Sequence, residues 1–370
     1  MKKERSAARI NVPEEAADTA VRAIITEPRM ISDIITLGIE TSCDDTAVAL
    51  MRGGGEILSE AVSSQITDHA PFGGVIPELA SRKHQETLLP LIRAVMNSAG
   101  AAPADIGLIA VTAGPGLMGS LLVGVMMAKA FSQGWDVPII GVNHLEGHLY
   151  SGILSHPGLK SPFLCLIVSG GHTEIVLANG GRDYILLGGT RDDAAGEAYD
   201  KAAKLMGFGY PGGPAIERMA RDGDAESFPF PVGMKGTKNV EFSFSGMKTS
   251  LRAAVERIKN QGGDLPAANI CASFQKAVTE SLLSKITLAV GKTGVKRVSI
   301  AGGVAANTAL REGLSALGQK RGWEIFLPPV KYCSDNAMMI AAAGYAAYAS
   351  GERGTIDLAP DPSWSVWKTA

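Results

Sequence analysis

The clearest indication of the fold lies in residues 35–51, ITLGIETSCDDTAVALM. Ile35 to Ile39 open an apolar strand, and Thr46 to Met51 form a second one. The polar residues Ser42 to Asp45 lie between them, so the stretch predicts a β-hairpin with an acidic tip. A third strand is expected after a glycine turn, near Glu56 to Ser59.

A related pattern recurs about 130 residues later, from Phe163 to Ala178. An apolar strand leads into the turn Ser169 to His172, a second strand follows, and a third is expected near Tyr184 to Leu187. One such hairpin is common in proteins, but its repetition indicates two duplicated lobes, each built on a β-meander and helices.

Each half also contains a strand that ends in a glycine-rich turn before a helix. Ile106 to Thr112 runs into the turn 113–116, and Val298 to Ala301 runs into the turn 302–307. Such turns present free backbone N–H groups at the positive end of a helix, where phosphate or ribose binds. Tight packing of strand against helix explains the glycines equally well. Neither turn is a Walker loop, since Gly-Lys-Ser/Thr is absent.

Composition restricts the class of protein. The chain has 370 residues, enough for two domains, and 46% of them are hydrophobic without an apolar run long enough to span a membrane. The net charge of -2 means that an RNA substrate would need local basic clusters or partner subunits. The four cysteines form no C-x-x-C pair, which favours a reducing cytoplasm over a zinc cage or a disulfide framework.

The first 33 residues have no apolar signal core and mix basic with acidic side chains. They are therefore not predicted to be a secretory signal, and Glu14 and Glu15 argue against an organellar import sequence. We expect residues 1–33 to be a disordered N-terminal extension, or to follow a start codon upstream of a more natural one at Met30.

His144 and His148 are spaced i and i+4, so on a helix two imidazoles would share one face and could bind one metal. Histidines on a helix surface or at a cap are the alternative. The stretch is not the H-E-x-x-H of zinc proteases, because Leu145 stands in the place of the catalytic glutamate and Glu146 points elsewhere.

Asp335 is a candidate for a third ligand. It stands just before a predicted alanine-rich helix, Ala337 to Ala349, where it is alternatively suited to be an N-cap. Two imidazoles and one carboxylate with open positions suit iron(II) or catalytic zinc.

Eight motifs occur in order between about Ile34 and about Ser350. They are LGIETSCDDT (37–46), NHLEGH (143–148), VSGGHT (168–173), DDAAGEAYDK (192–201), YPGGP (210–214), FSFSG (242–246), AGGVAAN (301–307) and CSDNA (333–337). Together they resemble one family, the bacterial TsaD branch of the tRNA threonylcarbamoyltransferases, once described as O-sialoglycoprotein endopeptidases. The resemblance implies an α/β protein with the two-lobed actin, heat-shock chaperone and sugar-kinase (ASKHA) fold, made of duplicated RNase H-like lobes.

The resemblance implies transfer of threonylcarbamoyl from threonylcarbamoyl-AMP to N6 of the adenosine 3′ of the anticodon, in tRNAs that read codons beginning with A. It implies that His144, His148 and Asp335 bind one metal, usually iron, at the cleft between the lobes. Asp44 and Asp45 are expected to handle the proton that the amine loses, although they could be solvated turn carboxylates. The residues expected to contact substrate are Ile167, Val168, Ser169, Gly170, Gly171, Asp200, Gly213, Asn307 and, less directly matched, Glu217.

The expected first lobe comprises residues 34–142 and about 336–352, the second lobe residues 143–335, and the C-terminal tail residues 353–370. Implied partners are tRNA, a degenerate TsaB-like paralogue as dimer partner and a small TsaE-like ATPase. Asp45 departs from the family pattern, since many relatives have glutamate there.

Three other functions share some of these sequence features. An ATPase or kinase of the same fold would share the glycine turns but has no need of the histidine pair. A non-catalytic partner subunit would lack the histidine pair and Asp335. A metalloprotease is disfavoured by the placement of Glu146.

Overall fold

The computed structural model describes residues 31–369. The first lobe contains a five-stranded sheet in the order β3-β2-β1-β4-β5. Strands β1, β4 and β5 are parallel, and β2 and β3 are antiparallel to their neighbours. The bounds are β1 Ile35–Glu40, β2 Asp45–Arg52, β3 Glu56–Ser64, β4 Ile106–Gly114 and β5 Ile139–Asn143. The hairpin predicted from residues 35–51 is therefore confirmed.

Helices cover both faces of this sheet. Helix α1 (Pro77–Ala99) and helix α2 (Met118–Trp135) pack on one face. On the other face lies a helix from the far end of the chain, Ala337–Ala349. It approaches β1 so closely that a Cβ on Gly38 would lie 2.3 Å from the carbonyl oxygen of Ala337. Only glycine fits at that point of β1 without moving the helix.

The second lobe repeats this topology. Its sheet has the order β11-β8-β7-β6-β9-β10, in which β6, β9 and β10 are parallel and β7 and β8 antiparallel. Read from β8 to β10, the strands follow the order of the first sheet, as the sequence repeat predicted. The bounds are β6 Phe163–Val168, β7 Thr173–Gly180, β8 Asp183–Gly189, β9 Arg297–Ala301, β10 Glu324–Phe326 and β11 Lys368–Thr369.

The remaining helices follow in chain order. They are α3 (His144–Ser155), α4 (Ala195–Met206), α5 (Gly212–Ala220), α6 (Ser245–Asn260), α7 (Ala267–Thr293) and α8 (Thr308–Arg321), and the helix at Ala337–Ala349 is α9. Helices α4 to α8 contribute to the larger core on one face of the second sheet, and α3 contributes to the core on the other face. Helix α3 also packs against α9, so it lies where the two lobes meet.

Both ends of the described part of the chain contact the lobes. Ile31–Asp33 form a 3₁₀ turn against the first lobe, where the Tyr345 hydroxyl donates to the carbonyl of Ile31. Residues 1–30 of the expected extension lie outside the described residues. The described part of the expected tail, residues 353–369, runs across both lobes, because Trp364 packs on the first core and Trp367 on the second.

Candidate active site at the lobe junction

The histidine pair lies at the start of α3, immediately after β5. The Asn143 side chain caps the helix by accepting hydrogen bonds from the backbone N–H groups of Leu145 and Glu146. His144 and His148 therefore share one helix face, with their ring centroids 4.7 Å apart, and both are buried. The sequence prediction of a helix with both histidines on one side is confirmed.

Asp335 joins the pair from the loop before α9. Its Oδ1 lies 3.5 Å from Nε2 of His144 and 3.4 Å from Nε2 of His148. The alternative role of Asp335 as helix cap is wrong: Asn336 is the N-cap of α9, and its side chain accepts from the N–H of Met339 at 3.0 Å. Asp335 is one residue too early for that function, which leaves its carboxylate directed at the imidazoles.

These three residues suit a bound cation. One ligand atom from each lies within 4.8 Å of the others. His148 is fully buried, yet neither of its ring nitrogens has a hydrogen-bond partner within residues 31–369. Burying unpaired imidazole nitrogens is costly, and a metal ion would satisfy one of them. Tetrahedral nitrogen and oxygen ligands at about 2.0–2.1 Å from zinc stand about 3.4 Å apart, which matches the spacing of Asp335 from the histidines.

Glu40, at the end of β1, orients this cluster, and the sequence analysis did not identify its role. Its carboxylate is fully buried and accepts from the Ser42 N–H at 2.5 Å and from the Thr112 hydroxyl at 2.6 Å. It also lies 2.9 Å from Nδ1 of His144. Because a carboxylate only accepts, Nδ1 carries a proton toward Glu40, and Nε2 is the nitrogen that faces Asp335 and is left to bind a metal.

Charge within the cluster is strongly coupled. Burial acts to lower the pKa of His144, but the carboxylates of Asp335 and Glu40 outweigh it and raise the pKa to about 9. Burial acts to raise the pKa of Asp335, but His144 and His148 hold it well below its usual range. Burial and the neighbouring histidines lower the pKa of His172 to about 4, so this ring is neutral at pH 7.

The acidic tip of the first hairpin lies beside the cluster. The Cys43 carbonyl accepts from Nε2 of His84 at 2.9 Å and from the Ser120 hydroxyl at 3.3 Å, which fixes the backbone of the tip. Burial, reinforced by the charge of Asp335, raises the pKa of Asp44. Burial also raises the pKa of Asp45 to about 7, together with the charges of Asp335 and Asp44.

The turn after β6 forms a glycine-rich wall of the second lobe. A Cβ on Gly302 would lie 2.4 Å from the Val168 carbonyl, and one on Gly196 would lie 2.6 Å from the Ser169 carbonyl, so both glycines permit close approach of this turn. Gly170 and Gly171 have open space where a Cβ would be. The side chains of Ile167 and Val168 are fully buried in the sheet, and their backbone pairs with β7, so their side chains do not face a ligand.

Three other residues predicted to contact substrate have side chains that accept hydrogen bonds at the N-termini of helices in the second lobe. Asp200 accepts from the Gly212 N–H at 2.7 Å, at the start of α5. Glu217 accepts from the Thr308 N–H at 2.9 Å, at the start of α8. Asn307 caps α8 and donates to Gln275 at 2.9 Å. Gly213 has open space around its Cα.

Glu146 is not available as a catalytic base. It is fully buried and forms two hydrogen bonds with the Arg182 guanidinium, at 2.6 and 2.8 Å. Tyr184 donates a further one at 3.0 Å. These partners hold the carboxylate on the side of α3 away from the histidines, which counts against a protease mechanism.

Known proteins resemble this chain over most of its length. The family model described as "TsaD: tRNA N6-adenosine threonylcarbamoyltransferase" matches residues 56–342. A relative with that enzyme name from Anaeromyxobacter dehalogenans is 47% identical over 333 residues, covering 89% of this chain and 99% of its own. One from Symbiobacterium thermophilum is 48% identical over 329 residues, covering 89% and 96%.

Among solved structures, HypF of T. kodakarensis has a TM-score of 0.58 at 15% identity, covering 86% of this chain and 48% of its own, a likeness of fold alone. The fold is that of the actin, heat-shock chaperone and sugar-kinase class, as predicted. No helix within residues 31–369 has the length and apolar character needed to cross a lipid bilayer. The sequence match over most of the chain, on this fold, shows that the chain belongs to the TsaD family of tRNA N6-adenosine threonylcarbamoyltransferases.

Proposed function

We propose that this protein transfers threonylcarbamoyl from threonylcarbamoyl-AMP to N6 of the adenosine 3′ of the anticodon, in tRNAs that read ANN codons, and releases AMP. The observation that carries the proposal is the cluster of His144, His148 and Asp335 at the lobe junction, beside the acidic tip. Family membership supplies the transferase class and the tRNA adenosine, and the cluster supplies the place where the reaction occurs.

The cluster fits a resident divalent metal, and we propose iron(II), with zinc also compatible with the donor set. His144, His148 and Asp335 would hold it, and when bound it would supply a Lewis acid for a carbamoyl or phosphate oxygen. Glu40 keeps the lone pair of His144 on the metal side through its contact with Nδ1.

The acidic tip provides the proton acceptor. The threonylcarbamoyl group is attached through a mixed anhydride, so AMP is already a good leaving group and no protein nucleophile is required. The enzyme's task is to place the amine and to remove its proton. Asp45, with a pKa of about 7, is the candidate base, and Asp44 beside it helps to keep that pKa raised.

The second lobe would hold the donor nucleotide. Backbone N–H groups of the glycine turn after β6 suit phosphate or carbamoyl oxygens, because no side chain blocks them. Polar side chains at the starts of α5 and α8 suit ribose and base. The residues proposed for this contact are Ile167, Val168, Ser169, Gly170, Gly171, Asp200, Gly213, Glu217 and Asn307.

We place the protein in the cytoplasm with a TsaB-like paralogue and a TsaE-like ATPase as partners. Helix α2 supports the proposal of a TsaB-like partner. Met118, Leu122 and Met126 recur every four residues on one side of it and are 51%, 46% and 54% exposed. An apolar stripe of this kind on a surface helix marks an interaction site.

The test is a transfer assay with the full chain, both partners, threonylcarbamoyl-AMP and unmodified ANN-reading tRNA. The tRNA is digested and threonylcarbamoyladenosine is detected by mass spectrometry. His144→Ala should lose both metal and product. His156→Ala is the matched control, since His156 caps the end of the same helix and its ring hydrogen-bonds to the Leu327 carbonyl and packs edge-on against Phe326 rather than joining the metal cluster.

Product from the control but not from His144→Ala would support the reaction and the metal cluster together. Product from both, with equal metal content, would refute the metal assignment and leave the reaction standing. No product from the unaltered protein, with partners proved competent by a relative, would refute the reaction.

A further inference from the structure

A second cavity lies between the lobes, apart from the metal cluster. It has a volume of ≈ 240 Å³. Residues 70–73 of the first lobe form one wall, and Asp200, Lys204 and residues 208–210 of the second lobe form the other. Asp200 is its only described lining residue among those proposed above to contact the donor.

Aromatic rings line both walls of this cavity. Phe72 is 60% exposed, an unusual position for a phenylalanine unless another group covers it. Phe208 and Tyr210 line the wall contributed by the second lobe. Rings on both sides of a small cleft are the usual means of holding a nucleobase that has left its stack.

A free cation stands at the edge of the cavity. Lys204 is exposed on α4 and forms no ion pair within residues 31–369, whereas Lys201, one turn earlier, pairs with Asp193 and Glu197. An exposed ammonium without a carboxylate partner suits a phosphate of the nucleic-acid backbone.

The cavity adjoins the acidic tip. The Gln65 N–H donates to the Asp44 carbonyl at 3.1 Å, and the His69 N–H donates to the Gln65 carbonyl at 3.1 Å, so the tip is joined to the segment that leads into residues 70–73. Nδ1 of His69 accepts from the Ile76 N–H at 3.2 Å and so fixes the other end of that segment. Burial and the carboxylates of Asp44 and Asp200 raise the pKa of Tyr210 on the opposite wall. A base in the cavity would thus lie next to the tip that carries the proposed proton acceptor.

We propose that this cavity receives the acceptor adenosine, turned out of the anticodon loop, with its base stacked on Phe72 and its backbone phosphate near Lys204. The inference rests on the transferase function proposed above and adds the place where tRNA delivers its reacting base. Asp200 lines this cavity and is also proposed to contact the donor, so donor and acceptor would lie next to each other at the lobe junction.

The test measures binding of two anticodon stem–loop RNAs at one fixed salt concentration, in the complex with both partners. One RNA carries adenosine 3′ of the anticodon, and the other carries an abasic nucleotide there. The unaltered protein should bind the adenosine RNA about tenfold more tightly, since stacking of one base on an aromatic ring contributes to that extent. Phe72→Ala should bind both RNAs equally, and Phe72→Trp should restore the difference.

Lys204→Ala should weaken both RNAs to the same degree and reduce the salt dependence of binding, as loss of one phosphate contact does. Lys259→Ala, an exposed lysine at the end of α6, is the control and should change neither. The KM for threonylcarbamoyl-AMP should be unchanged in Phe72→Ala.

Two results would overturn the proposal: Phe72→Ala that still prefers the adenosine RNA, or Phe72→Ala in which the KM for threonylcarbamoyl-AMP rises instead. Because Phe72 is exposed, loss of folding is not expected, and an unchanged Tm verifies this. If the unaltered protein prefers the adenosine RNA but makes no product, the cavity assignment stands and the proposed reaction fails.

Discussion

Substitution of Asp45 tests the electrostatics of the acidic tip most directly. Its carboxyl is mostly buried, and its Oδ1 has no hydrogen-bond partner within residues 31–369. Burial, and then the charges of Asp335, Asp44 and Glu40, raise its pKa from 3.8 to about 7, against a lowering contribution from Ser64. The folded protein therefore resists ionisation of this group, whereas the unfolded chain does not.

The sign follows from this difference. Well below pH 3.8 the Asp45 carboxyl is protonated in both the folded and the unfolded state, so it does not lower the free energy of unfolding. As pH rises toward 7, the unfolded state gives up its proton first, so the free energy of unfolding falls. With about 1.4 kcal/mol per pKa unit, the loss reaches about 2 kcal/mol at pH 5 and about 4 kcal/mol at pH 8. Asp45 keeps some contact with solvent, so these values are upper limits.

Asp45→Asn removes the titration. The amide also changes packing and hydrogen bonding, but those effects are the same at both pH values and cancel in the difference. When the pH is raised from 5 to 8, the free energy of unfolding of the variant should increase by about 1–2 kcal/mol relative to that of the unaltered protein. This corresponds to a shift of several degrees in the difference between their Tm values. Differential scanning fluorimetry measures this shift, with a chelator present to keep the protein free of metal.

Asp264→Asn, at an exposed loop position, should give the same difference in Tm from the unaltered protein at both pH values. If Asp45→Asn behaves like this control, the carboxyl titrates normally. The assignment of Asp45 as a base with a raised pKa would then be wrong, whatever the effect of the substitution on activity.

Three further outcomes are expected. Glu40→Gln should weaken metal affinity about 10- to 100-fold, measured by competition with a chromophoric chelator. The Glu40 carboxylate accepts from Ser42, Thr112 and Nδ1 of His144, and the amide nitrogen of glutamine cannot accept. Gly38→Ala should lower the free energy of unfolding by about 1–3 kcal/mol, since its Cβ would lie 2.3 Å from a carbonyl of α9, whereas Gly55→Ala, with open space, should cost far less in thermal unfolding. The kcat/KM for transfer by the metal-loaded enzyme should rise with pH to a plateau below about 7, because bound metal lowers the pKa of Asp45, and lose that rise in Asp45→Asn; an unchanged profile would contradict the proton-acceptor role.

Local patterns sufficed to predict the scaffold. The strands of both hairpins and the strands β4 and β9 were predicted from apolar runs and the turns that follow them, because each depends on neighbours in sequence. The similarity of strand order between the two sheets could be predicted only from the sequence repeat, because the repeat indicates two lobes of the same construction.

Features that depend on distant contacts were not predictable from the sequence pattern. Glu40 ends an apolar strand, and nothing local shows that it meets His144 from another strand–helix junction. The cap of α9 was misassigned by one residue, since aspartate and asparagine are equally good N-caps and both stand before the helix. Phe72 ends a short 3₁₀ helix, Ala70–Phe72, and the opposite wall of its cavity comes from the other lobe, so only the folded structure places the two together.

The lobe junction is acidic beyond what its histidines can neutralise. The charge of Asp335 acts to raise the pKa values of Asp44, Asp45 and Glu40, although His144 lowers that of Glu40 on balance, so the fold accepts repulsion at this point. A bound divalent cation offsets that repulsion and would lower the pKa of Asp45, since a positive charge favours the carboxylate. Metal occupancy and the ionisation of the proposed base are therefore linked. A site loaded with metal would have its base ionised at lower pH than a site without it, which couples readiness for proton transfer to the presence of the cation.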